Sequence, residues 1–148
     1  MNNPSSIFLD SSAIISLCNI NGTEASIGDE ILDFLHQNPR ASRHCVMPCL
    51  VEVYYFVKKY CKKSSTIRDN LDRLAVTLYP SEKEDVILGY YNECTYRGDY
   101  DFADFFLAYC ALEIKGSLIV TRDERDFPLA LSRATQFFEH VDFDIKTF

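Results

Sequence analysis

Four acidic residues, Asp10, Glu52, Asp104 and Asp123, each stand where an apolar run meets a helix start or a strand end. Carboxylates are hard oxygen ligands. A set of them brought together repels itself and takes up protons unless a divalent cation fills it. Magnesium or manganese held in that way can turn a water into hydroxide, orient a phosphate and stabilise a leaving oxygen. Hydrolysis of a phosphodiester then needs no Ser-His-Asp or Cys-His set. The four acids are far apart in the chain, so only the fold can bring them together.

The elements that would position them alternate between strand and helix. Ile7 to Asp10 reads as a buried strand feeding a short helix, Ala13 to Cys18, through Asp or Ser caps. Asn19 to Ser26 reads as a loop, Gly28 to His36 as an amphipathic helix stopped before Pro39, and Asn38 to Arg43 as a connection. Cys45 to Met47 is expected to be a second strand. Leu50 to Lys62 follows as a helix, with Leu50, Val53, Tyr54 and Val57 as its apolar stripe and Glu52 in its first turn. Thr66 to Leu74 reads as helix, Val76 to Tyr79 as a third strand, and Ser81 to Glu84 as the cap and acidic first turn of a helix reaching Cys94. After a loop at Tyr96 to Tyr100, Phe102 to Glu113 is helical, Gly116 closes it, and Ser117 to Val120 is a buried strand ending at Thr121. Asp126 to Phe148 reads as a short helix followed by extended segments.

This alternation predicts the α/β class: one domain, built as a three-layer α/β/α sandwich around a mainly parallel sheet. In such a sheet ligands bind at the carboxyl ends of the strands and the adjoining helix starts. Asp10 ends the first strand, Glu52 opens the helix after the second, Asp104 opens the helix before the fourth, and Asp123 follows that strand.

Each acid also has a plainer reading. Asp10 could cap a helix, although Ser11 and Ser12 are good caps themselves. Glu52 alone would be a first-turn acid complementing the helix dipole. Asp101 and Asp104 have the spacing of a cap and its third position, which assigns Asp101 to the cap and Asp104 to the pocket. Asp123, Glu124 and Asp126 mix with Arg122 and Arg125 in a run that is usually solvated surface, and Asp126 reads as the cap of the following helix. Asp99 is a loop acid. Tyr54, Tyr55, Phe56, Phe105 and Phe106 belong to core or a dimer surface. His36, His44 and His140 share no motif.

The blocks Ile7-Phe8-Leu9-Asp10-Ser11-Ser12, Val51-Glu52, Phe102-Ala103-Asp104 with Leu107-Ala108, and Leu118-Ile119-Val120-Thr121-Arg122-Asp123 with Asp126-Phe127 follow one another in register. Together they resemble the PIN-domain ribonucleases over nearly the whole chain. The resemblance implies a PIN-like fold in which Asp10, Glu52, Asp104 and Asp123 bind Mg2+ or Mn2+, with Thr121, Ser11 and Ser12 hydrogen-bonding to orient them. Asp123 occupies a position where relatives carry Asn, which suits action through water. The VapC-type toxins of this family are of similar size, which makes a toxin held by an antitoxin protein an expectation.

With 148 residues, 47% of them hydrophobic, the chain can bury a real core, and no stretch is long and apolar enough to span a bilayer. A soluble, cytoplasmic protein is expected. Its six cysteines lie mostly in apolar runs and are expected to be free, buried thiols. Cys45 and Cys49 bracket a Met-Pro turn but have no second pair at zinc spacing. A net charge of −7 excludes a binder that relies on a broad basic surface. RNA contact would fall to Arg122 and Arg125, and to Lys59 and Lys63 on the Glu52 face of their helix. A homodimer would bring such residues from two chains to one RNA. The competing class is a non-catalytic RNA- or protein-binding module of the same fold. A haloacid-type phosphatase is disfavoured because Ser12 stands where it needs a second Asp.

Overall fold

The computed structural model describes residues 3–18, 25–60, 64–94, 100–138 and 143–148. The elements run β1 (Ser6–Leu9), α1 (Ser11–Cys18), α2 (Ala25–Gln37), β2 (Ser42–Cys45), α3 (Met47–Lys59), α4 (Ser64–Arg73), β3 (Val76–Leu78), α5 (Glu84–Cys94), α6 (Phe102–Leu112), β4 (Ser117–Thr121), α7 (Asp126–Ala134) and β5 (Phe143–Thr147), with a 3-10 turn at Thr135–Phe137. The strands form one five-stranded sheet in the order β3-β2-β1-β4-β5, and every described pairing is parallel. The extended tail is therefore the fifth strand, in register with β4 from Ser117–Phe143 to Thr121–Thr147.

Alternation along the two central strands separates two cores. Ile7, Leu9, Leu118 and Val120 face a layer that includes Ile14, Ile31, Leu35, Ile67 and Leu71 from α1, α2 and α4. Phe8 and Ile119 face the other, with Ile87, Phe105, Leu107, Phe127 and Leu131 from α5, α6 and α7. These are the three layers expected of a strand whose successive side chains point to opposite faces and are buried on both. Helix α3 joins them, placing Cys49 in one core and Val53 and Val57 in the other.

Helix α6 is buried over every residue from Ala103 to Leu112. A helix apolar all round belongs in an interior, and this one carries Asp104 in with it. Burying Phe105, Phe106, Leu107 and Leu112 contributes roughly 1.5–3 kcal/mol each, enough together to outweigh the several kcal/mol that desolvating one carboxylate costs.

Two boundaries differ from expectation with consequences for the site. The second strand is Ser42–Cys45, not Cys45 to Met47, and the helix after it starts at Met47 with Pro48 in its first turn. Proline read as a turn signal, but at a helix start its missing N–H leaves no bond unmade. Glu52 thus lies in the second turn of α3, whose first turn holds no acid. Complementing the helix dipole does not account for it. The same helix ends at Lys59 rather than Lys62.

Glycine is required at two places. A Cβ on Gly28 would meet the Ser16 carbonyl oxygen at 2.4 Å, so the α1–α2 hairpin packs closely only without one. Gly116 takes φ +75 between α6 and β4, the left-handed conformation that a side chain disfavours.

Candidate functional site

The strand order reverses at β1 and β4: the chain builds outward from β1 through β2 to β3, then returns to β1's other side. The carboxyl ends of these two strands form the crevice where open parallel sheets bind ligands. Asp10 is the first residue past β1 and Thr121 the last of β4.

Asp10 is 2% exposed. Its N–H bonds the Val120 carbonyl at 3.0 Å and its carbonyl accepts the Ile14 N–H at 3.1 Å, so its backbone does occupy the N-cap position of α1. Its carboxylate does more. Oδ1 accepts the Ser11 N–H at 2.8 Å, with the Ser11 hydroxyl further off at 3.4 Å. Oδ2 accepts the Ser12 hydroxyl at 3.0 Å and the Thr121 hydroxyl at 2.8 Å. Ser12 Oγ in turn accepts the Arg122 N–H at 3.0 Å, and Thr121 Oγ1 the Asp123 N–H at 2.9 Å. Each hydroxyl oxygen accepts a backbone N–H bond from the segment after β4 and donates its own O–H to Asp10. Burial still raises the Asp10 pKa, and the Thr121, Ser12 and Ser11 bonds pull it back down.

Asp104 lies in the first turn of α6, 8% exposed. Asp101 caps that helix, its Oδ1 accepting the Asp104 N–H at 2.9 Å. The Asp104 carboxyl is pushed up to about 9 by burial and then by the charges of Asp10, Asp101, Glu52 and Asp123. Every one of these causes acts upward.

Glu52 is half-buried and pushed up to about 7 by burial, then by Asp101 and Asp10, with the Ser11 hydroxyl offsetting part of the rise. Its Oε1 is buried and has no hydrogen-bond partner among the described residues. Asp123 acts on both Asp10 and Asp104, but its Oδ1 accepts the Arg125 N–H at 3.0 Å in a local turn.

The four acids, drawn from segments more than a hundred residues apart, therefore share one electrostatic field at the switch point. Asp101 shares it too, adding to its capping role. Asp126 is the first residue of α7 rather than its cap; Arg125 holds that position, with no side-chain capping bond.

Among the RNA-contact candidates, Arg122 sends Nη1 to Ser16 Oγ at 3.1 Å and is half-buried against α1. Arg125 is exposed between β4 and α7. Lys59 is exposed with its Nζ 5.9 Å from the Phe56 ring centre and 5.8 Å from that of Tyr60. Lys63, Asp99, His140 and Cys61 lie outside the described residues. Of the aromatic set, Phe105 and Phe106 are core, whereas Tyr55 is 74% exposed. Cys18, Cys45, Cys49, Cys94 and Cys110 are free thiols.

A divalent cation suits this pocket by donor type, by the raised carboxyls that a positive charge would bring down, and by the orphaned Glu52 Oε1. As placed, no group of three or more His, Cys, Asp or Glu among the described residues is tight enough to hold an ion. The donors are of the oxygen type that such a cation takes, and holding one would need them closer together than they stand.

Sequence reasoning missed Cys49, whose Sγ stands 3.9 Å from Asp10 Oδ1. Its position three residues before Glu52, on one side of the same helix, was the available signal. Comparison with known proteins gives no match: no family model, no curated protein and no solved structure is similar to the chain.

Proposed function

We propose that this chain is a magnesium- or manganese-dependent endoribonuclease of the PIN type. The observation that carries the reading is the convergence of Asp10, Glu52, Asp104 and Asp123 on the β1–β4 switch point, where burial and neighbouring negative charges raise the carboxyls of Asp10, Glu52 and Asp104.

Asp10, Glu52 and Asp104 would hold the cation, and Asp123 would act at the rim. Bound there, Mg2+ or Mn2+ supplies an acidified water and neutralises charge on the phosphate. Asp10 is fixed by Ser11, Ser12 and Thr121, so its orientation does not depend on the cation. Arg125 and Lys59 are the exposed basic groups to meet the RNA backbone. Arg122 contributes by tying the loop after β4 to α1.

A homodimer is part of this reading. Met47, Val51 and Tyr55 leave an apolar row exposed on α3, and a monomer of charge −7 has little basic surface for RNA. A toxin role with a cognate antitoxin, and a cytoplasmic location, rest on the resemblance. Among the described residues no helix is long and apolar enough to cross a membrane. The second reading is a non-catalytic RNA- or protein-binding module, favoured by the absence among the described residues of a ready-made ion cage.

Cleavage of a mixed set of structured RNAs with Mg2+ or Mn2+ separates the two. Cutting that needs the cation and is lost in Asp10→Asn and Asp104→Asn, with folding retained, is the expected outcome. Cutting that survives both substitutions contradicts the site, and RNA binding without any cutting by the native chain selects the module.

A further inference from the structure

Helix α3 turns one flank to the acid pocket and leaves its outer face uncovered. Cys49, Val53 and Val57 bury its inner side. On the outer side Met47, Val51 and Tyr55 follow at four-residue steps and are 53%, 60% and 74% exposed. Tyr54, 39% exposed, widens the row. Residues at i, i+4 and i+8 lie one above the other on a helix, so these side chains make one contiguous apolar stripe. Soluble monomers rarely leave large patches of that kind to water.

The charges of α3 are divided along its length. Glu52, in the second turn, lies in the field of Asp101 and Asp10, whereas Lys58 and Lys59 occupy the last turn. A stripe flanked by acid toward one end and base at the other is complementary to itself in one direction. Two copies packed antiparallel set the basic end of each against the acidic end of the other, and two packed parallel set like charges together. A two-fold axis makes the antiparallel contact isologous, residue i meeting j and j meeting i. With Val51 against Tyr55 of the second copy, Lys59 comes level with that copy's Met47, within two turns of its Glu52.

The direction also decides where the pockets face. Glu52 and Lys59 are seven residues apart, about two turns and roughly 10 Å along one flank of α3. A two-fold axis across antiparallel helices keeps this flank of both copies on the same side. An axis along parallel helices turns the two flanks to opposite sides.

We propose that α3 pairs antiparallel with α3 of a second copy through Met47, Val51, Tyr54 and Tyr55, so that both acid pockets open on one side of the dimer and each is flanked by the other copy's Lys59. The use of this shared side for RNA rests on the nuclease reading above, whereas the pairing rests on the stripe and its charges.

The test uses the full chain. Sedimentation equilibrium reads the dimer, and mild oxidation of cysteine variants reads its direction. Wild type is expected to dimerise. Tyr55→Glu sets a carboxylate in the exposed stripe; it should keep its circular dichroism and weaken the dimer by at least about thirtyfold, the scale of a hot-spot aromatic. Met47→Cys mixed with Lys58→Cys should form an intersubunit disulfide that neither variant forms alone, with wild type as the background for the native thiols. Disulfides in each variant alone mean a parallel pair and overturn the proposal. A wild type that stays monomeric overturns it too, and gives the stripe to another protein. Tyr55→Glu should also bind a structured RNA about tenfold more weakly than wild type and with a shallower salt dependence, because a single chain neutralises fewer phosphates. Wild type that forms the antiparallel dimer but binds no RNA overturns the nuclease reading and leaves the pairing standing. Monomeric Tyr55→Glu that binds RNA as tightly as wild type overturns the shared RNA side alone.

Discussion

Asp10 and Asp104 are both buried carboxylates in one pocket, and burial raises both, yet only Asp10 has donors that pull it back down. Asp10 is surrounded by donors: a backbone N–H and two hydroxyls, the latter pair held by backbone N–H groups of the following loop. Asp104 has burial and four neighbouring charges acting on it, all in the direction that disfavours its ion. Glu52 belongs with Asp104, its Oε1 buried without a partner among the described residues. One half of the pocket is pre-organised and the other is left under electrostatic stress. That is the division expected if the first half sets the geometry and the second waits for a positive charge.

The largest effect that sharpens this contrast is on activity. Asp10→Asn and Asp104→Asn are each expected to reduce metal-dependent RNA cleavage by at least about a hundredfold, the scale of losing a preorganised charge-stabilising group. Single-turnover rates at saturating Mg2+ check this.

Stability should separate what activity does not. In the unfolded chain Asp104 titrates at 3.8 and in the fold at about 9, so between those values the fold keeps a proton that the unfolded chain has released. Unfolding is then favoured as pH rises, and the metal-free protein loses stability from about pH 4 to pH 9. Glu52, moved from 4.5 to about 7, adds to the loss over its own window. Calorimetry in a chelating buffer should show Tm falling through this range, and saturating Mg2+ should flatten the slope. A Tm that rises with pH in the metal-free protein would contradict the stressed half of the pocket.

Asparagine substitution should also shift metal-free stability in opposite directions. Asp104→Asn removes an ion the site resists and should raise Tm at pH 8. Asp10→Asn exchanges one accepting oxygen for an NH2 group, which sets a donor against either the Ser11 N–H or the two hydroxyls, and should cost roughly 1–3 kcal/mol, measured by urea unfolding. Equal signs for the two would break the comparison.

The smallest effect concerns the hydroxyl link. Thr121→Val removes a group that donates to Asp10 and accepts from Asp123. It is expected to cost about 1–2 kcal/mol of stability and to weaken Mn2+ binding less than either Asn substitution, as titration calorimetry would report.

Much of the fold was legible because its signals are local. Apolar runs at Ile7 and Ser117 marked the central strands, and the Phe102 to Leu112 stretch, apolar but for Asp104 and the Tyr109 hydroxyl, marked a buried helix. The start of α3 was misread because Pro48 marks both turns and helix first turns, and only tertiary placement decides between them. The acids could be chosen by their position at element ends. What each experiences could not, since the Asp10–Thr121 bond spans a separation of 111 residues and the Asp10–Cys49 contact one of 39. Asp101 looked like a cap and is one, but its closeness to Glu52 follows from how α6 meets α3, which no spacing within α6 reveals.

The central claim is that the stressed carboxylates accept a divalent cation that the fixed Asp10 helps to hold. Titration of the metal-free protein with Mn2+ at pH 7, in two buffers of different ionisation enthalpy, tests it most directly. Binding accompanied by net proton release, with the release reduced in Asp104→Asn, is the predicted result. No Mn2+ binding, or binding with the same proton count in wild type and Asp104→Asn, would contradict it.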